Sequence, residues 1–375
     1  MNNLLLVALM ITATLDCMYG QFECFVTEEE SEETSTLKSA VDFIPNDSTP
    51  IKYLRVNIHF MLRSPGDSAY PGNFATDGDG NGNPDYTGYD YAEDLVNAAN
   101  FRLSRNHKMY MPPGNSTPVI ARKYRYVLNG VFFHEDNNYY YFPSYPNRVY
   151  GENVDQCINV FIEHANGGRG GGHANMGGHR YVEMRRMWER YVKNITENVD
   201  IIQGIWEYAN LLNHEIGHNL SLHHTVRHNS GPCLDNKEDH CDDTPTRGQI
   251  IDDYGFDPCC NWNVSSSSYC SNNLMDYGKE DAITPEQLGR IHSKIENELK
   301  THKTCFFLSP RIVGITSFTD NKAFIGERVL LPGGSSVRVS GRKALYVNAE
   351  EFEIIGELEI DDRARLTVYT LPKCN

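Results

Sequence analysis

Two residue types between positions 214 and 224 have spacings that suit chemistry on a metal: His214 and His218, Glu215 between them, and His223 and His224 beyond. On an α-helix, positions four apart share a face, so His214 and His218 point the same way. Two neutral imidazoles so placed can bind one Zn²⁺, each nitrogen at roughly 2.0–2.1 Å. Glu215 lies about 100° round the helix from His214. It is not needed as a ligand, and a carboxylate there can take a proton from a metal-bound water. A third ligand cannot come from the same straight helix, because a further turn carries the side chain past the metal. The helix must therefore end after His218 and the chain must turn back, which brings His223 or His224 to the metal.

The surrounding elements have to hold that helix. Asp200 and Gln203 have the spacing of a capping box at its start, and Ile205, Ala209, Leu212 and Ile216 form a buried stripe on the side away from the histidines. An earlier helix is predicted from a cap at Asp90 to about Asn106, with Ala92, Leu95, Ala98, Ala99 and Leu103 on one stripe. Leu54–Leu62 alternates apolar and polar residues and reads as a half-buried strand with His59 on its solvent side. Further strands are expected at Tyr124–His134 and Ile158–Glu163. Gly167–Gly178 reads as a Gly-rich loop, a rim over a cleft, and Met184, Met187, Trp188, Tyr191 and Ile195 recur at helical spacing as a packing face.

The chain has 375 residues and a net charge of −16. That balance argues against nucleic acid, whose phosphates need a basic face. Leu4–Leu15 is a twelve-residue apolar run, too short for a bilayer and suited to the core of a secretory signal peptide, with cleavage after Gly20. No other stretch has transmembrane length. Residues 21–50 are acidic and poor in apolar residues, as in a propeptide or flexible arm. Nine of the ten cysteines lie after residue 20, five of them between 233 and 270, which in an exported chain predicts disulfides. Cys24 allows two readings: an ordinary disulfide, or a thiolate that occupies the open zinc position and holds the enzyme latent. Asp77, Asp79, Asn81 and Asp85 are spaced like the oxygen ligands of a calcium loop with Gly82 at its sharp turn, although Gly88 stands where the bidentate carboxylate belongs.

Three further blocks follow the helix: Asp239-x-x-x-Asp243-Thr244-Pro245, Asn273-x-Met275-Asp276-Tyr277, and Thr284-Pro285-x-Gln287, the last a helix start with a capping box. With the histidines before them, these resemble the pappalysin group of metzincin metallopeptidases, family M43, most closely over residues 205–292. The resemblance implies that His224 completes the zinc site as in His-Glu-x-x-His-x-x-Gly-x-x-His. Ser221 occupies the Gly position, where a non-Gly residue in left-handed backbone costs ~1–2 kcal/mol. So either the turn is strained or its dihedrals differ. The resemblance further implies that Met275 is the Met-turn beneath the histidines, that Tyr277 faces the metal, to bind the zinc or to hydrogen-bond the oxyanion, and that Asp239 and Asp243 lie in a loop that binds calcium.

From about Cys305 the chain becomes a series of short β-runs, as in a small all-β module stacked like a solenoid. The expected organisation is a signal peptide at 1–20, an acidic segment at 21–50, an α/β (α+β) metzincin domain with a mixed twisted sheet at 51–304, and a β-rich accessory module at 305–375 that could contact a surface or matrix. The expected function is secreted zinc-dependent endopeptidase action on protein or peptide substrates, with Glu215 as general base. The alternative is a catalytically impaired, zinc-stabilised binding protein on a protease fold, which Ser221 favours and Glu215 opposes.

Overall fold

A computed structural model describes residues 23–27, 43–77, 86–110, 114–142, 145–164, 171–175, 181–197, 201–225, 239–245, 249, 252, 271–276, 280–304, 311–312, 317–318, 321–340, 343–361 and 364–369. The first half supplies strands β1 (Glu23–Thr27) and β2 (Lys52–Leu62), helix α1 (Gly88–Leu103), strand β3 (Tyr124–Glu135), and short helices α2 (Asn137–Tyr141) and α3 (Asn147–Tyr150). Then come β4 (Ile158–Glu163), β5 (Gly171–Asn175), β6 (Tyr181–Arg185), α4 (Met187–Thr196), α5 (Ile201–Asn219) and α6 (Pro285–Asn297). No described helix is long and apolar enough to cross a membrane.

The six strands form one mixed sheet in the order β1-β5-β6-β4-β2-β3. The ladders β6-β4, β4-β2 and β2-β3 are parallel, β5 runs antiparallel to β6, and β1 pairs parallel with β5. One face carries Ile58, Phe60, Val160, Ile162, Val182 and Met184, which join Ala92, Leu95, Ala99, Ala209, Leu212 and Ile216 of α1 and α5 in one core. Parallel strands between two layers are buried on both faces, and that corrects the reading of β2 as half-buried. His59 is fully buried, not solvent-facing. Its Nδ1 lies 2.9 Å from His134 Nε2 and its Nε2 lies 2.8 Å from Asn159 Oδ1, with Phe132 and Phe161 stacked against its ring.

Three local expectations change. Thr87, not Asp90, is the N-cap of α1, and Asp90 closes the box by accepting from the Thr87 backbone N–H at 2.9 Å. Met184 belongs to β6 rather than to the helix after it; left-handed Arg186 (φ 66°) separates the two. The Gly-rich stretch contains a strand, β5, because ladder bonds from β6 replace the side-chain packing that glycines lack. Asp200 lies outside the described residues.

Beyond residue 310, the described residues form only strands: β7 (Arg311–Ile312), β8 (Ser317–Phe318), β9 (Lys322–Val339), β10 (Ala344–Ile360) and β11 (Arg365–Tyr369), all paired parallel. The short apolar runs merge into two long strands whose inward residues, including Val329, Leu331, Val337, Leu345 and Val347, form a second core. This sheet closes over the polar face of β2 and β3. Buried Arg55 donates to Asn348 Oδ1 at 3.1 Å and to the Thr304 carbonyl at 2.8 Å, and Asn321 donates to the Val131 carbonyl at 2.7 Å.

Candidate metal centre

Helix α5 carries His214, Glu215 and His218, and its buried stripe fixes which way they face. The helix stops in three backbone bonds: Leu220 N–H to Ile216 O at 2.9 Å, Ser221 N–H to His218 O at 3.0 Å, and Leu222 N–H to Gly217 O at 3.0 Å. The last two are the paired bonds of a Schellman motif, which needs a left-handed residue between them. Ser221 is that residue, with φ at 68°. Of the two expectations for this turn, the strained one is observed. It reverses the chain so that His224 returns to the helix.

The three imidazoles converge. His224 Nε2 lies 3.0 Å from His214 Nε2 and 3.1 Å from His218 Nε2, and all three residues are buried. His214 Nδ1 is 2.8 Å from the Leu274 carbonyl and His218 Nδ1 is 2.8 Å from the Leu222 carbonyl. Each carbonyl can only accept, so both rings hold their proton on Nδ1 and aim an Nε2 lone pair at His224. Burial lowers the His214 pKa to about 4, against a smaller opposing pull from the Leu274 carbonyl, which keeps the ring neutral. Three ring nitrogens that meet this closely, two of them presenting lone pairs, can bind one cation together. Tetrahedral zinc would space its nitrogens by about 3.3 Å, so the triad fits zinc. His223 does not join the cluster.

The motif blocks downstream prove to be one bonded unit. Asn273 and Gln287 exchange amide hydrogen bonds at 2.9 and 3.1 Å, and Asn273 Oδ1 accepts from Met275 N–H at 2.8 Å. Thr284 and Gln287 form the capping box of α6. Asp243 ties in the third block, accepting from the Thr284 hydroxyl at 2.6 Å and from Glu286 N–H at 2.9 Å. This unit presents the Leu274 carbonyl to His214 and pushes Met275, fully buried, under the helix. A Cβ on Gly217, the residue before His218, would meet Met275 Sδ at 2.7 Å, so a side chain there would force the methionine to shift.

Glu215 is fully buried and faces β5. A Cβ on Gly172 would come within 2.5 Å of Glu215 Cγ and nearer still to its carboxylate. Gly172 is also the register partner of Cys24 on β1. Sequence reasoning missed both glycines; the signal was a glycine at a close approach. It also missed Glu280, at a left-handed position (φ 54°). Burial, then the negative charges of Glu215 and Asp276, push its carboxyl well above the usual carboxylate range.

Among the described residues, Asp77, Asp239 and Asp243 do not join the histidine cluster. Tyr277, and residues 78–85 of the calcium-like loop with Asp79, Asn81 and Asp85, lie outside the described residues; Gly88, at the loop's last position, opens α1. Asp239 accepts from Thr244 and from Cys241 N–H, and burial raises its pKa to about 6. Among the described residues Asp243 groups at metal-ligand spacing not with Asp239 but with Cys241 and Glu286. Cys157 and Cys241 are buried thiols.

A sequence model of the Peptidase_M43 family, described as pregnancy-associated plasma protein-A, matches residues 149–296, from α3 to α6. Residues 149–296 are an M43, pappalysin-type, peptidase domain. No curated protein matches the chain. M43 peptidases are zinc-dependent, and the domain spans every residue of the triad, Glu215, the β5 edge and the Met275 turn. The match begins after β2 and β3, so these strands enter the peptidase sheet from outside the matched segment.

Proposed function

We propose that the protein is a secreted zinc endopeptidase of the metzincin type, with His214, His218 and His224 as ligands and Glu215 as general base. The observation that carries this is the convergence of three buried Nε2 atoms beside a buried glutamate that lies against β5, the strand next to the β1 edge of the sheet. Zinc, when bound, supplies Lewis acidity: it acidifies a water to a pKa of about 7 and polarises the scissile carbonyl. Glu215 accepts the proton of the attacking water and passes it to the departing amine. Gly172, having no side chain, lets β5 lie against that carboxylate. An extended peptide would add along the outer edge of β5, where main-chain bonds align it. β1 lies on that edge, which supports reading residues 21–50 as a segment that must leave before substrate enters. Tyr277, two residues beyond Met275, is the proposed oxyanion donor; one such donor typically contributes ~3–4 kcal/mol to the transition state.

Ser221 was the feature that favoured a non-catalytic binding protein. It takes the left-handed conformation the turn requires, so its presence no longer argues for that alternative. The test is metal analysis of purified protein with mass-spectrometric mapping of cuts in a peptide library. Glu215→Ala is expected to retain one equivalent of zinc and lose cleavage. A mutant that binds zinc and still cuts at the native rate would refute the mechanism.

A further inference from the structure

We propose that the C-terminal sheet of β9, β10 and β11 is a fixed brace on the active-site helix and stays with the folded enzyme, rather than a detachable accessory module. Composition divides the chain near residue 305, but the cores do not divide there. Successive residues of a strand face opposite sides. At the start of β10, Leu345, Val347 and Ala349 enter the core of the C-terminal sheet. Ala344 and Tyr346, which alternate with them, enter the same core as Leu95 and Ala99 of α1 and Leu212 of α5. Ala323, the register partner of Tyr346 on β9, joins that first core. One strand therefore serves two cores, and neither closes without it.

The polar contacts fall on the same face. Asn348, two residues beyond Tyr346 and fully buried, accepts from Arg55 Nε at 3.1 Å. The Arg55 guanidinium also donates to the Thr301 and Thr304 carbonyls at 3.0 and 2.8 Å, so three segments meet on one buried charge. Asn321 donates to the Val131 carbonyl of β3 at 2.7 Å, while its Oδ1 accepts from the Tyr89 hydroxyl at 3.2 Å and from Ala344 N–H at 2.9 Å. Asn153 donates to the Ala323 carbonyl at 3.3 Å. A separable domain has its own core and few contacts across its boundary. Here separation would expose Ala323, Ala344 and Tyr346 to water and uncover Arg55.

These contacts reach the metal centre through α1. Arg365 of β11 lies 3.3 Å from Asp90 in the first turn of α1, and its guanidinium sits over the Tyr89 ring at 5.0 Å. That ion pair is partly exposed and contributes little alone; the shared core supplies the bracing. α1 in turn packs with α5 in that core, and Asn213, the residue before His214, donates to the Ala99 carbonyl of α1 at 3.2 Å. The sheet thus fixes α1, and α1 fixes the helical turn that carries a metal ligand.

The experiment is thermal unfolding of the full, zinc-loaded chain, followed by near-ultraviolet circular dichroism and by a dye that reports released zinc. The expected result is a single transition, with zinc released at the same temperature. Val347→Ala, which trims the C-terminal core, and Asn348→Ala, which removes the Arg55 acceptor, should each lower both readouts together by about 2–4 °C. Should neither variant fold, a specific protease site inserted between residues 306 and 311 tests the same point without a core substitution. It is placed in a Cys374→Ser chain; Cys374 is the one cysteine beyond Cys305, so no disulfide then joins the two pieces. After the cut, the pieces should co-elute from a native gel-filtration column and part only in denaturant. Two separate transitions, a zinc-release temperature that neither variant moves, or a C-terminal piece that elutes alone would overturn the proposal. None of these readouts uses peptidase activity.

Discussion

Gly172→Ala isolates the contact between strand β5 and the general base. In the native protein the added methyl would lie 2.5 Å from Glu215 Cγ and closer to the carboxylate, whereas ordinary contact begins near 3.4 Å. Strand or glutamate must therefore move by at least about 0.9 Å. Glu215 is fully buried and has no solvent to swing into, so its carboxylate turns from the metal or β5 is pushed off the helix. Misplacement of a catalytic group by about 1 Å typically costs on the order of 100-fold in rate, or ~2.7 kcal/mol of barrier. The three atoms nearest a Cβ at residue 172 all belong to Glu215 and none to a histidine, so zinc content should not change. The assay is kcat and KM on a fluorogenic peptide, with zinc measured on the same sample. We expect kcat to fall about 100-fold at one zinc per chain. Gly217→Ala is the contrasting control, since its methyl meets Met275 Sδ at 2.7 Å and should disturb zinc retention and stability first. Native kcat in Gly172→Ala would refute the reasoning, because it would mean that β5 does not lie against Glu215.

Three further outcomes follow from the same geometry. Ser221→Gly removes a left-handed penalty of ~1–2 kcal/mol and adds ~0.4–1 kcal/mol of unfolded-chain entropy, so Tm should hold or rise by up to about 2 °C with activity unchanged; a fall in Tm would contradict the φ of 68° at this residue. Asn273→Ala breaks the amide exchange with Gln287 and the bond to Met275 N–H, and should cost ~2–4 kcal/mol in denaturant melts and weaken zinc retention; a loss below ~1 kcal/mol would show the motif blocks to be independent. Burial lowers the His134 pKa to about 4, and that of its partner His59 well below the usual histidine value. A depressed folded pKa means stability that is complete above the unfolded value near 6.5 and is lost as pH falls from there towards 4, at up to ~1.4 kcal/mol per pH unit per group. His134→Gln should flatten that slope by about one proton between pH 6.5 and 4.5, and an unchanged slope would show that His134 titrates normally.

Much of the site could be read from residue order because its chemistry is local. A helix puts His214 and His218 on one face whatever surrounds it, and the need for a turn after His218 follows from the length of one helical turn. The stripe of Ile205, Ala209, Leu212 and Ile216 was visible for the same reason, as was the capping box at Thr284. Where periodicity spoke only for the chain itself, it failed. Alternation in β2 placed His59 in solvent, yet the C-terminal sheet and the ring of Tyr150, packed on His134, close that face. Glycines at 171 and 172 suggested a loop, yet strand β6 supplied the ladder.

The sequence by itself determined the ligand types, their spacing and the sign of the chemistry, because covalent order and helical geometry set them. Only the tertiary structure decided that the block around Asn273 and Gln287 holds His214 through a carbonyl, that Met275 packs against residue 217, and that β5 must present glycine to Glu215. These are contacts between segments up to about sixty residues apart. No local pattern encodes them, because they depend on how packed surfaces meet once each element has formed.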